Sequence, residues 1–158
     1  MLLEMLAAGA MASAATPAAS AAPAHQQCAA VTEAQVAALF DRWNGSLATN
    51  DPDKVVANYA PDAVLLATVS NTPRFTQGER RAYFVDFLKN KPQGVINNRR
   101  IKLGCNTAVD AGVYTFTMGA NGAVVPARYT YTYENRGGQW LITSHHSSAM
   151  PEKTAEKK

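Results

Sequence analysis

Two of the three histidines of this 158-residue chain stand side by side, in Thr143-Ser144-His145-His146-Ser147-Ser148. Imidazole is the side chain most easily tuned to work near neutral pH, so such a pair invites an acid-base or ligand-holding reading. The pair lies in Gln139 to Ala149, a run that follows Gly137-Gly138 and reads as the last strand. Neighbours on a strand point to opposite faces. One histidine therefore faces the interior and the other the outer surface, and at most one lines any given cavity. Strict alternation puts Trp140, Ile142, Ser144, His146 and Ser148 on one face and Leu141, Thr143, His145 and Ser147 on the other. A serine hydrolase is disfavoured: the chain has no Gly-x-Ser-x-Gly elbow, and adjacent strand residues cannot pair as nucleophile and base.

The strand before it alternates Tyr129, Tyr131 and Tyr133 with Arg128, Thr130, Thr132 and Glu134. An interior would receive either a tyrosine ladder or an Arg/Thr/Glu row. Cross-strand aromatic packing is the simpler role for the tyrosines, although a phenol can also donate to an oxyanion. The acids suggest no paired-carboxylate site. Asp51, Asp53 and Asp62 read as helix or turn caps, and Asp110, before Ala111-Gly112, reads as a turn residue. No zinc spacing of Cys and His is present, and neither a metal nor a cofactor is expected.

The elements that must position these residues follow from periodicity and caps. Thr32 and Gln35 form a capping-box pattern, and Val36, Leu39, Phe40, Trp43 and Leu47 give a helical stripe over about residues 32–49. Asp51-Pro52 starts a short second helix to about residue 59. Pro61-Asp62 reads as a turn and Ala63 to Val69 as a strand. Thr76 and Glu79 cap a third helix that buries Tyr83, Phe84, Phe87 and Leu88. Strands follow at Val95–Cys105, Val113–Met118, Val124–Asn135 and Gln139–Ala149, all expected to be antiparallel. An antiparallel sheet with helices gathered on one face is an α+β arrangement, and a long curved sheet would make a cone around a cavity.

The chain carries 47% hydrophobic and 17% charged residues, enough for one domain with its own core. Residues 1–24, rich in Ala, Leu, Met and Ser and ending Ala22-Pro23-Ala24, read as a secretory signal cleaved before His25. The expected location is therefore periplasmic or secreted, with no membrane span once the signal is cleaved. Residues 25–31 read as a linker and 152–158 as a flexible charged tail. Fifteen Lys and Arg face 12 Asp and Glu, and losing Glu4 with the signal leaves a net charge of +4. The basic pairs Arg80-Arg81 and Arg99-Arg100 read as solvated faces, so no nucleic-acid partner is expected. In an oxidising compartment Cys28 and Cys105 are expected to pair.

The words Arg81-x-Tyr83-Phe84-x-x-x-Leu88 and Gly138-x-Trp140-x-Ile142-x-x-x-His146-x-Ser148-x-x-Pro151 resemble the association domain of calcium/calmodulin-dependent protein kinase II and its stand-alone bacterial relatives, within the nuclear transport factor 2-like class. The resemblance covers residues 32–151. It implies a helix-lined cone (α-α-β-α-β-β-β-β) that pairs into homodimers or larger rings through the open face of its sheet. It implies no kinase activity. The kinase domains hold an anion in an arginine cluster, but this chain has Ser147 and Tyr131 at two of those arginine positions. By the family's orientation Ser147, and with it His145 and Thr143, looks into the cavity. The expected ligand-contacting residues are Trp43, Tyr59, Phe84, Arg128, Tyr131, Thr143, His145 and Ser147, with His145 the candidate catalytic group. Fold alone does not choose the activity. The leading expectation is binding of a small organic ligand together with self-association. The alternatives are a cofactor-free lyase or isomerase of the ketosteroid isomerase–polyketide cyclase type using His145, and a purely structural oligomerisation module.

Overall fold

The computed structural model describes residues 27–151. The signal peptide expected at 1–24, the start of the linker and the 152–158 tail lie outside the described residues. Helix α1, Glu33–Leu47, begins at the capping box: the Gln35 amide donates to Thr32 Oγ1 at 3.2 Å and the Thr32 amide to Gln35 Oε1 at 2.8 Å. Its buried residues Val36, Phe40, Trp43 and Leu47 recur at four- and three-residue steps, one face of a helix. Asn50, at φ 55°, turns the chain, and Asp51 caps α2, Pro52–Val56. This helix stops three residues earlier than expected, because Tyr59 already belongs to strand β1, Tyr59–Leu66. Pro61-Asp62 is not a free turn but lies within an irregularity of β1. Helix α3, Gln77–Phe87, starts at the Thr76/Glu79 capping box and runs into a 3-10 turn at Leu88–Asn90.

Strands β2 (Pro92–Leu103), β3 (Thr107–Met118), β4 (Val124–Arg136) and β5 (Gln139–Ala149) complete one sheet in the order β1-β5-β4-β3-β2. The sheet is mixed rather than wholly antiparallel, since β1 runs parallel to β5 at its edge. The reason is the α3 crossover between β1 and β2: the chain returns to the far edge, and β5 comes back beside β1 pointing the same way. Strand β3 also starts six residues earlier than its apolar run, so Asp110 lies within the sheet. A β2 bulge at Asn97 bends the sheet beside Gly112. A Cβ at Gly112 would sit 2.1 Å from the Asn98 carbonyl oxygen, so only glycine fits there. Phe40 and Trp43 of α1 pack on Tyr114, Tyr129 and Tyr131, which puts the helices and the tyrosine ladder on the concave face. Cys28 and Cys105 form a disulfide that ties the chain before α1 to the β2–β3 turn.

Candidate functional site

The parity of β5 breaks at Thr143. Tyr133 lies opposite Ile142 and Tyr131 opposite His145, so one extra residue is fitted into β5 between them. Ile142, His145 and Ser147 therefore all face inward. Ile142 is fully buried rather than outward, and Thr143 does not line the cavity; its hydroxyl donates to the Thr132 carbonyl at 3.2 Å. Arg128, opposite Ser148, lies on the convex face with Thr130, His146 and Ser148, and is corrected from cavity to outer surface.

His145 is the floor of the concave site. Its ring stacks on Tyr131 at 4.1 Å between centroids and meets Trp43 edge-on at 5.3 Å. Its Nδ1 lies 2.9 Å from the Tyr59 hydroxyl, which accepts a 3.0 Å bond from Trp43 Nε1–H. Its Nε2 lies 3.5 Å from the Tyr114 hydroxyl. Burial pushes the imidazole from its ordinary value of 6.5 down to about 3, with His146 adding to the effect, so His145 is neutral at physiological pH. Burial also holds the Tyr59, Tyr114 and Tyr131 phenols well above their ordinary range. A cavity of about 80 Å³ opens above this floor. Trp43, Phe84, His145 and Ser147 line it together with Tyr114, Phe116 and other apolar residues, and Thr68 hydrogen-bonds Ser147 at its rim. Val69, Tyr83 and Phe87 are shared with a shallower outer hollow that carries Arg74 and Asp86. Tyr59 and Tyr131 support His145 from behind rather than lining the cavity.

Two wholly buried charges depart from their sequence assignments, Arg80 from a solvated basic pair and Asp110 from a turn. Arg80 is wholly buried and donates to the carbonyl oxygens of Ala60 (3.0 Å), Pro61 (2.9 Å), Phe75 (3.1 Å) and Ala63. Its guanidinium sits 5.9 Å from the Tyr59 ring and holds the irregular start of β1 against α3. Asp110, expected in a turn, is wholly buried in β3. Its Oδ1 accepts from Tyr129 at 2.9 Å and its Oδ2 lies 3.1 Å from Arg99 Nη2, too poorly aligned for a hydrogen bond. Burial raises the Asp110 carboxyl above its ordinary value, against the pull of Tyr129 and Arg99. Neither the full burial of Arg80 nor the partial burial of Arg99 was legible, since a basic pair has the same pattern on either face. Tyr114 and Phe116 alternate with Thr115 and Thr117, a signal that could have placed both on the cavity wall. Among the described residues no cluster of three or more His, Cys, Asp or Glu could hold a metal.

The family model of the calcium/calmodulin dependent protein kinase II association domain matches residues 32–151. Among solved structures, a protein of Xanthomonas campestris assigned to this kind of association domain is 55% identical, with TM-score 0.74 over 80% of this chain and 96% of that one. A nuclear transport factor 2-like protein of unknown function from Pseudomonas putida is 19% identical, with TM-score 0.67 over 80% and 91% of the two chains. A protein of Streptomyces avermitilis assigned as a dehydratase of that class is 13% identical, with TM-score 0.68 over 75% and 96%. The last two show the shared fold alone. No curated protein matches the chain. The cone, its helices and the family match agree, and the chain belongs to the calcium/calmodulin dependent protein kinase II association domain family.

Proposed function

We propose that this protein is an exported, self-associating module that binds a small organic molecule in its cone and has no kinase activity of its own. The observation that carries the binding reading is the apolar cavity ending on His145, whose other nitrogen is already engaged by Tyr59. Cavities with apolar walls and a few convergent polar groups are the usual form of a small-molecule site. Ligand-observed NMR with a library of neutral fragments tests it, using Ala67→Phe to plug the rim where Ala67 lines the opening. Fragments that bind the natural protein and are lost in the plugged variant support the reading. A cavity that takes none of them sinks it.

Self-association is supported by the convex sheet face, where Arg128, Thr130, His146 and Ser148 form a shallow hollow. Sedimentation velocity should give a dimer or larger species, and a monomer at every concentration would remove this part of the reading. Export is supported by the Cys28–Cys105 disulfide. Among the described residues no helix is long and apolar enough to cross a membrane. Intact mass of protein recovered from the periplasm should place its first residue at His25; retention of Met1 would count against a cleaved signal.

A further inference from the structure

We propose that the site is built for the acceptor oxygen of an uncharged ligand, a ketone or aldehyde carbonyl on a small apolar body, received by His145 Nε2–H and the Tyr114 hydroxyl. The proposal deepens the binding reading above and rests on it.

The direction of the buried hydrogen bonds carries the argument. An indole nitrogen only donates. The Tyr59 oxygen accepts from Trp43 Nε1–H, so its single proton is free to point to its other partner, His145 Nδ1. Nδ1 is then an acceptor, and the one proton of a neutral imidazole is on Nε2. That nitrogen faces Tyr114, whose oxygen lies 3.5 Å away, at the far limit of a hydrogen bond. A buried donor with so long a partner is left poorly satisfied, and an oxygen entering the cavity would complete it. The Tyr114 proton can rotate toward the same oxygen. In this tautomer Nε2 has no lone pair to take a proton, so His145 works as a donor and not as a general base.

The walls decide what carries that oxygen. Leu65, Val69, Phe87, Phe116, Met118 and Val125 are apolar, and among the described residues no Lys, Arg, Asp or Glu lines the cavity. A carboxylate placed there would lose its hydration with no cation to meet it, whereas a carbonyl loses far less. At about 80 Å³ the space admits a small ring or the head of a longer molecule extending past Tyr83 into the outer hollow.

Chemical-shift titration with cyclopentanone, methylenecyclopentane and cyclopentanecarboxylate tests this on the whole exported chain. Cyclopentanone should bind about tenfold tighter than the alkene of the same shape, the difference one neutral hydrogen bond makes. The carboxylate should bind weakest, and Tyr114→Phe should narrow the ketone–alkene ratio. Equal ketone and alkene affinity would leave a binding cavity but overturn the donor pair, and a preference for the carboxylate would overturn it as well. Binding of none of the three would remove the binding reading and this proposal together. Two-bond nitrogen–proton NMR on histidine-labelled protein reads the tautomer without any ligand. Nε2–H is expected, and Nδ1–H would overturn the assignment even if ligands bind.

Discussion

Lowering the pH should destabilise this domain through His145 by an amount that one substitution can isolate. Folded, the imidazole is held near pKa 3; unfolded, it returns to 6.5. The unfolded chain therefore takes up a proton below pH 6.5 that the folded chain refuses. The penalty is absent above the unfolded value, grows as pH falls between 6.5 and about 3, and is then constant. Between about pH 7.5 and about pH 4.5 it amounts to about 2–3 kcal/mol, at roughly 1.4 kcal/mol for each unit of pH below the unfolded value. His145→Asn keeps a side-chain acceptor within reach of Tyr59 and does not titrate. Urea unfolding of both proteins at the two pH values gives four free energies. The natural protein should lose about 2–3 kcal/mol more than the variant. Asp53 and Asp62 are held below their ordinary value by Arg81 and Arg136, and Glu79 by backbone amides at the start of α3. Those carboxylates also cost stability in acid, and Asp110 acts in the opposite sense, but all are common to both proteins and cancel. Parallel losses within about 0.5 kcal/mol would refute the reasoning. So would an NMR titration of His145 with a midpoint near 6.

Arg80→Met should cost about 2–4 kcal/mol, because backbone carbonyls of Ala60, Pro61 and Ala63 lose their buried partner; a change below about 1 kcal/mol in urea unfolding would contradict that role. Replacing Cys28 and Cys105 by Ser opens a loop with a sequence separation of 77 residues and should cost about 2–4 kcal/mol, measured against the oxidised protein. Gly112→Ala should destabilise by more than about 2 kcal/mol, since its Cβ would meet the Asn98 carbonyl of the β2 bulge. A neutral result there would mean that the bulge relaxes freely and does not set the curvature.

Much of the scaffold was legible locally. Both capping boxes, the α1 stripe and the turn at Gly137-Gly138 are short-range patterns, and the structure has each where the residues put it. The disulfide followed from two cysteines in a chain read as exported. What failed was what depended on an unbroken register along a strand, or on telling a buried charge from a solvated one. Strict alternation along β5 placed Ile142 outside and Thr143 inside, and one inserted residue opposite Thr132 reversed both. Arg128 was carried to the cavity, although the tyrosines, not the arginine, face α1. Asp110 and Arg80 were misplaced, whereas Arg81 and Arg100 are exposed as expected, because an acid before Ala-Gly, or one arginine of an adjacent pair, looks the same in solvent and in the core.

The sequence by itself determined the order of elements and carried the motifs of the family, and the family's orientation of Ser147, two residues on, set His145 rather than His146 inward. Those features rest on caps, periodicities and motifs spanning a few residues, where local physics suffices. Only the tertiary structure decided that β1 lies parallel to β5, and that Trp43, Tyr59, His145 and Tyr114 join in one buried chain. Those four residues come from four elements separated by as many as 102 positions between Trp43 and His145. Their chemistry depends on distances near 3 Å and on the exclusion of water, and neither exists until the sheet has closed over the helices.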